Sequence, residues 1–375
     1  MVKKMKILEL CTSSGWGGLE LYALNITKWL NQQGFDCLLV VKPDSLVARR
    51  SDEYSIEKSY LLPRFRLFPL FAAKRLANLI DQKNIDILHV HWNKDLILAV
   101  LAKCFSRTKP GLVFIRHMAL TRHKRDAYHK FIYRNIDAYL VITKRLGDEA
   151  RKFLPIDEHK IHLLYHGIGE HEQANRNYCE TFLAEKGIGN KNFRVLLPGR
   201  IEHGKGQHIL IDAIYQLRKE GLIVDAILLG HIMDQKYFDD LTRNIREWGL
   251  QDQVHYLGFV ENPVYIYNCF DAIALTTYAE TFGLVLIEGM KSGVAVVGTN
   301  AGGVPEIIEQ GKTGLLFEPG DSEGLAHCIK QLANDPVLRQ KLADSGRLYA
   351  DERFSEQQHY KLLLDIFSSV HSKIN

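Results

Sequence analysis

Two glutamates stand eight positions apart, Glu280 and Glu288, in the stretch "YAETFGLVLIEGMKSGVAVVGTNAGGVPEII". The first precedes an apolar run opening at Gly283, and the second lies about one and a half turns inside it. If "GLVLIEGMKSG" is a helix, the amides of Phe282, Gly283 and Leu284 form its N-terminus. Unsatisfied N–H groups and the positive dipole end attract an anion there. A carboxylate accepts paired hydrogen bonds from vicinal hydroxyls, so two of them flanking an anion suit two sugar rings around a phosphate. The plain alternatives are an exposed helix glutamate at 288 and an ordinary turn at Gly302–Gly303.

A second candidate is "LLPGRIEHGKGQHIL", which runs from strand through loop to helix. Gly199 opens its loop, and Arg200 and Lys205 follow five apart. Arginine offers a planar fork to phosphate oxygens and lysine a mobile point charge, a pair suited to a diphosphate. No Gly-Lys-Ser/Thr follows, which excludes a Walker loop. A third is "CTSSGWGGLELYALN", with Trp16, Gly17 and Gly18 after the first strand. Bare amides at a helix start can hold an anion, or the loop is only a tight turn. It lacks the G-x-G-x-x-G spacing, and the second strand ends in "VVKPD" without an acid, which disfavours dinucleotide binding.

His117 and His166 each end a strand-like run, where a side chain projects toward a strand-end crevice. His89 and His91 alternate and so share a face. Two such histidines would suit a metal only with a third ligand, and the sequence shows none beside them.

These groups need elements to hold them. Short β-rich runs alternate with helical stretches, the mark of an α/β fold with parallel sheets. Strands are predicted over 6–10, 36–41, 85–92, 112–117, 138–143 and 160–166, with helices over 18–33, 69–83, 94–105, 123–135 and 144–154. Polar, aperiodic "GEHEQANRNYCE" (169–180) reads as a connection. The pattern then restarts, with strands over 193–199, 224–230, 253–259, 271–277, 294–299 and 314–320. Helical stretches over 321–350 and 355–373 close the chain. Two doubly wound domains facing a cleft follow, over 1–170 and 171–350, with ligands at the carboxyl ends of the strands.

At 375 residues the chain suits two domains, and no apolar run is long enough to span a membrane. Six scattered cysteines without a C-x-x-C pair are expected to be reduced, in a cytoplasmic protein. The net charge of +4 hides an asymmetry: residues 1–170 hold 28 Lys and Arg against 17 Asp and Glu, while 171–375 hold 20 against 27. A basic first half points to an anionic partner. The stretches 116–135 and 62–80 interleave cations with apolar and aromatic residues. The second either touches an anionic membrane, or is a loop followed by a core helix with snorkelling cations. No nucleic-acid-binding motif is present.

Taken in order, the Gly-rich loop, strand-end His117, Gly199-Arg200…Lys205-Gly206, Glu280-x7-Glu288 and Gly302-Gly303-x-Pro305-Glu306 resemble the retaining glycosyltransferases of family 4. The likeness spans nearly the whole chain and is densest at 278–317. It implies the GT-B fold, two Rossmann-like domains, with residues 351–375 crossing back to the first. It also implies transfer from a nucleotide-diphosphate sugar to a glycan or lipid-linked acceptor, without cofactor or metal. Consistent with that, the chain contains no Asp-x-Asp triplet. Under this resemblance Arg200 and Lys205 bind the donor diphosphate, assisted by Gly17, Gly18, Gly199 and the amides of Phe282, Gly283 and Leu284. Glu288 holds the ribose, Glu280 a sugar hydroxyl, and His117 contacts that sugar near the reacting centre. Trp16, His166, Gly302 and Gly303 are candidate acceptor or sugar contacts. Two departures stand out: Gly289 after the second glutamate, and His166–Gly167 where the family often has Asn-Gly.

Overall fold

The computed structural model describes residues 5–62, 69–189 and 191–374. Two compact units emerge, one of Met1–Tyr165 with Tyr360–Asn375, the other of His166–His359.

Unit 1 is built on seven parallel strands: β1 (Lys6–Cys11), β2 (Asp36–Val41), β3 (Lys58–Tyr60), β4 (Ile87–Val90), β5 (Gly111–Arg116), β6 (Ala138–Val141) and β7 (Ile161–Leu163). Their order is β3-β2-β1-β4-β5-β6-β7. The direction of winding reverses between β1 and β4, so the loops after those two strands part at a switch point. The inner strands are buried on both faces and mostly apolar, broken by the buried polar groups Glu9, His89 and Arg116. Helices Gly18–Gln32 and Leu96–Phe105 bury Ala and Leu against this sheet, and Leu70–Lys83 packs on Leu96–Phe105.

Unit 2 repeats the plan with six parallel strands: β8 (Phe193–Pro198), β9 (Val224–Leu229), β10 (Val254–Tyr256), β11 (Ala272–Leu275), β12 (Ala295–Thr299) and β13 (Leu315–Phe317). Their order is β10-β9-β8-β11-β12-β13. The switch point lies between β8 and β11, and the loops after them carry Lys205 and Glu280. Both sheets are doubly wound, as the alternating pattern implies.

Several local expectations change. The polar connection at 169–180 contains the start of a helix, Arg176–Glu185, capped by the Asn175 side chain. Only Cys179 and Leu183 of this helix are buried, so its sequence shows no helical period. The stretch 321–350 is two helices, Ser322–Asn334 and Pro336–Arg353. Asp335 caps the second and Pro336 opens it. Helix Leu46–Glu53 and the edge strand β3 were not anticipated.

The cysteines also depart from expectation. Cys179 and Cys269 form a disulfide that ties helix Arg176–Glu185 to the 3-10 turn Pro263–Cys269, while Cys11, Cys37, Cys104 and Cys328 stay free.

Of the basic stretch at 62–80, residues 63–68 lie outside the described residues. Helix Leu70–Lys83 buries Ala73, Leu76 and Ile80 and leaves Lys74, Arg75 and Phe71 in solvent. No helix among the described residues is long and apolar enough to cross a membrane.

Candidate functional site

In unit 2 the loop after β8 is pressed against the end of β11. The Thr276 hydroxyl donates to the Lys205 carbonyl at 2.8 Å. Gly206 sits at φ +71°, and a Cβ there would lie 2.3 Å from the Thr276 carbonyl oxygen. Only glycine permits that approach. The result is that Lys205 Nζ donates to Glu280 Oε2 at 3.0 Å across 75 residues of chain. Both side chains stay about a quarter exposed, so the pair is open to a ligand.

The Glu280 loop is fixed from its other side by the turn after β12. The Gly303 amide donates to the Glu280 carbonyl at 2.9 Å. Gly302 sits at φ +66°, and a Cβ there would lie 1.9 Å from that same carbonyl oxygen. The glycine pair therefore acts first as a mould for the Glu280 backbone. Phe282 is buried, and Gly283, at φ +102°, opens helix Leu284–Lys291.

Glu288 lies half-buried inside this helix, with the Tyr267 hydroxyl 3.4 Å from its Oε2. Burial pushes its carboxyl up to about 7, against a smaller opposing effect of the Tyr267 hydrogen bond. Tyr267, which spacing did not flag, is itself pushed well above its ordinary range by burial beside Glu288.

Arg200 does not join the Lys205–Glu280 pair. Its guanidinium is more than half exposed and bonds Glu202 at 2.9 Å, while its carbonyl accepts from the Gln207 side-chain Nε2 at 2.8 Å. His166 lies beyond β7 and belongs to unit 2, where its buried ring meets the edge of Phe282 at 5.5 Å. It thus packs against the loop that carries Glu280 and Phe282. Sequence reasoning also missed the ring cluster beside Lys205. His203 stacks on His208, whose imidazole bonds the hydroxyls of Tyr237 (2.7 Å) and Tyr278 (3.0 Å).

Unit 1 carries the remaining candidates. The Gly-rich loop is pinned at its start, where the Thr12 amide and hydroxyl both donate to Asp95 after β4. The Ser13 hydroxyl donates to Glu20 Oε1, which brings the Glu20 carboxylate within 4 Å of where a Cβ on Gly15 or Gly17 would lie. A carboxylate thus occupies part of the hollow read as an anion cradle. Gly18 faces open space, and Trp16 is 41% exposed. His117 follows β5 directly. Its ring stacks on that of His91 at 6.2 Å, and Tyr22 presents edges to both.

Behind His91 lies the third group that the sequence could not show. Glu9 pairs with His89 in the β1–β4 register, and its Oε2 is 2.8 Å from His89 Nδ1 and 2.5 Å from His91 Nε2. All three side chains are buried. Bonds of about 2.0–2.2 Å to one ion would hold such donors more than about 3 Å apart; here His91 hydrogen-bonds Glu9 directly and His89 makes a close polar contact with it. Burial raises the Glu9 carboxyl, but the two histidines outweigh it together and hold it at about 2. Burial and the neighbouring His89 press His91 down to about 4.

Two family models match the chain: glycosyltransferase family 4 over residues 16–171, and glycosyl transferases group 1 over 180–349. The chain is 26% identical to N-acetyl-alpha-D-glucosaminyl L-malate synthase of Bacillus anthracis, over 80% of this chain and 78% of that protein. It is 23% identical to the lipopolysaccharide core mannosyltransferase LpcC of Rhizobium leguminosarum bv. viciae, over 76% and 78%. Among solved structures, Anabaena HepE in complex with UDP superposes with a TM-score of 0.87 at 24% identity, over 97% of this chain and all of that one. A glycosyltransferase from Rickettsia africae gives 0.90 at 20%, over 98% of each. With family models on both sheets and the switch-point loops carrying the motifs, the chain belongs to the GT-B glycosyltransferases of family 4, glycosyl transferases group 1.

Proposed function

We propose that this protein is a retaining hexosyl- or N-acetylhexosaminyltransferase. It would move a sugar from a UDP- or GDP-sugar to a glycan or lipid-linked acceptor in cell-envelope polysaccharide synthesis. The observation that carries the reading is the Lys205–Glu280 pair at the unit 2 switch point. An ammonium has three N–H donors, so Lys205 can keep Glu280 while giving its others to diphosphate oxygens. Glu280 retains lone pairs for a sugar hydroxyl. Glu288, inside the adjoining helix, would take the ribose diol.

Turnover requires that negative charge on the departing diphosphate be stabilised while the sugar gains oxocarbenium character. Lys205 and the amides at the start of helix Leu284–Lys291 would do this without reorganising, and Arg200 would join them on leaving Glu202. His117 would contact the donor sugar, and Trp16, Gly17 and Gly18 would border it. Support for the donor class comes from HepE, whose structures hold UDP and UDP-glucose. Envelope synthesis is supported by relatives such as LpcC. Exposed Leu70 and Phe71 beside Lys74 and Arg75 suit peripheral contact with the inner face of the cytoplasmic membrane. The test is release of nucleoside diphosphate from a panel of nucleotide sugars by wild type and Glu280→Gln. The reading expects release by wild type and near-complete loss in the variant.

A further inference from the structure

The segment after β5 gathers positive charge that no carboxylate among the described residues pairs. Arg116 is buried, and its guanidinium donates to the Met118 carbonyl, the Asn93 side-chain oxygen (3.0 Å) and the Ala119 carbonyl (2.8 Å). All three acceptors are uncharged. Lys124 is half-buried, its backbone fixed by a bond from its amide to the Phe153 carbonyl. Burial, and then Arg116 and Arg122, lower its ammonium below the ordinary lysine range. Among the described residues, neither these three cations nor Lys94 makes an ion pair with a carboxylate.

The nearby acids are committed elsewhere. Asp126 caps helix Ala127–Arg134 and bonds His129 Nδ1 at 2.6 Å. Glu149 accepts from the Leu120 amide at 2.7 Å and from Arg145 at 3.2 Å.

These cations border a hollow. A cavity of about 340 Å³ is lined by Lys94, Arg122 and Lys124 together with Ile97, Ile132 and Tyr133. Solvated loop cations ordinarily spread apart, because crowding like charges beside a low-dielectric wall is unfavourable. Here one of them is partly desolvated, and a buried arginine stands behind it. A bound dianion would reverse the sign of every one of these interactions. The volume lies at the small end of ligand pockets, room for one sugar or a head group rather than a polysaccharide segment.

We propose that this cavity of unit 1 binds a phosphate group carried on a compact, partly apolar body, and that this is how the acceptor is recognised. The word acceptor rests on the transferase reading; the phosphate site does not.

The test is calorimetric titration of the whole protein, without donor, using four probes. Glucose 6-phosphate and farnesyl phosphate carry the group on a sugar and on a lipid, and methyl glucoside and farnesol are their neutral counterparts. At least one phosphate probe should bind ten or more times tighter than its counterpart, and the tighter of the two identifies the source. Lys124→Met and Arg122→Gln should each weaken it by about tenfold or more, the loss of one charge-assisted hydrogen bond. Each should also flatten its salt dependence. Arg122 is exposed, so its variant keeps the test valid should Lys124→Met fail to fold. Equal binding of phosphate and neutral probes, or wild-type affinity in both variants, overturns the proposal. Phosphate binding without consumption of any nucleotide sugar would sink only the transferase reading. Transfer to a neutral acceptor without phosphate binding would sink only this one.

Discussion

Replacing Gly302 by alanine tests whether the turn after β12 moulds the Glu280 loop. Two penalties arise and can be separated. The first is conformational: Gly302 has φ +66°, and an L-residue there loses about 1 kcal/mol relative to glycine. The second is steric, since the new Cβ would lie 1.9 Å from the Glu280 carbonyl oxygen and 3.0 Å from its amide nitrogen. Ordinary carbon–oxygen contact requires well over 3 Å, so the Glu280 loop must move by about 1 Å or more. That breaks the Gly303–Glu280 hydrogen bond and takes the Glu280 carboxylate away from Lys205. Misplacement on that scale costs about 100-fold in turnover. Gly293 supplies the control, because it has φ +69° but faces open space. Gly293→Ala should lose only the conformational term, a few degrees in the unfolding midpoint. The assay is donor turnover and thermal unfolding of both variants side by side. If Gly302→Ala turns over donor as fast as Gly293→Ala, the mould argument is wrong.

Other outcomes follow from the same structure. Because the Glu288 carboxyl is raised from 4.5 to about 7, its ionised form grows as pH rises through that window. Nucleotide affinity should therefore increase from pH 5.5 to 8 in wild type and stay flat in Glu288→Gln; parallel profiles would refute the role. Thiol titration in denaturant should count four thiols without reductant and six after reduction, from the Cys179–Cys269 bond. Reduction should lower stability by about 2–4 kcal/mol, and six thiols at the outset would show that the bond does not form. In unit 1 the depressed values of His91 (from 6.5 to about 4) and Glu9 (from 4.5 to about 2) mean that the unfolded chain binds more protons in acid. Stability should fall as pH drops below about 6.5, and less steeply in His91→Phe. An unchanged slope there would place the acid sensitivity elsewhere.

The alternation of strands and helices was legible because buried parallel strands are mostly apolar and their helices keep one apolar face. Helix Arg176–Glu185 was not, since two buried residues cannot set a period. In 321–350 the Asp335–Pro336 stop was visible, yet the apolar pattern ran through it.

The site divides in the same way. Lys205 and Glu280 could each be placed at a strand's carboxyl end. That they touch depends on β8 lying beside β11, a neighbour relation which local sequence does not state. Glu9 between His89 and His91, and the Cys179–Cys269 bond, are likewise products of long-range register and packing. Arg200 shows the converse: a residue correctly flagged as a loop cation whose partner here is Glu202.

The central claim is that the loops at the unit 2 switch point hold and activate a nucleotide-diphosphate sugar. The most direct measurement is release of nucleoside diphosphate from radiolabelled UDP- and GDP-sugars by wild type and by Lys205→Ala, with folding of the variant confirmed by circular dichroism. Turnover of at least one donor by wild type, falling about 100-fold or more in the variant, is the predicted result. No consumption of any donor by wild type, or undiminished release by folded Lys205→Ala, would contradict it.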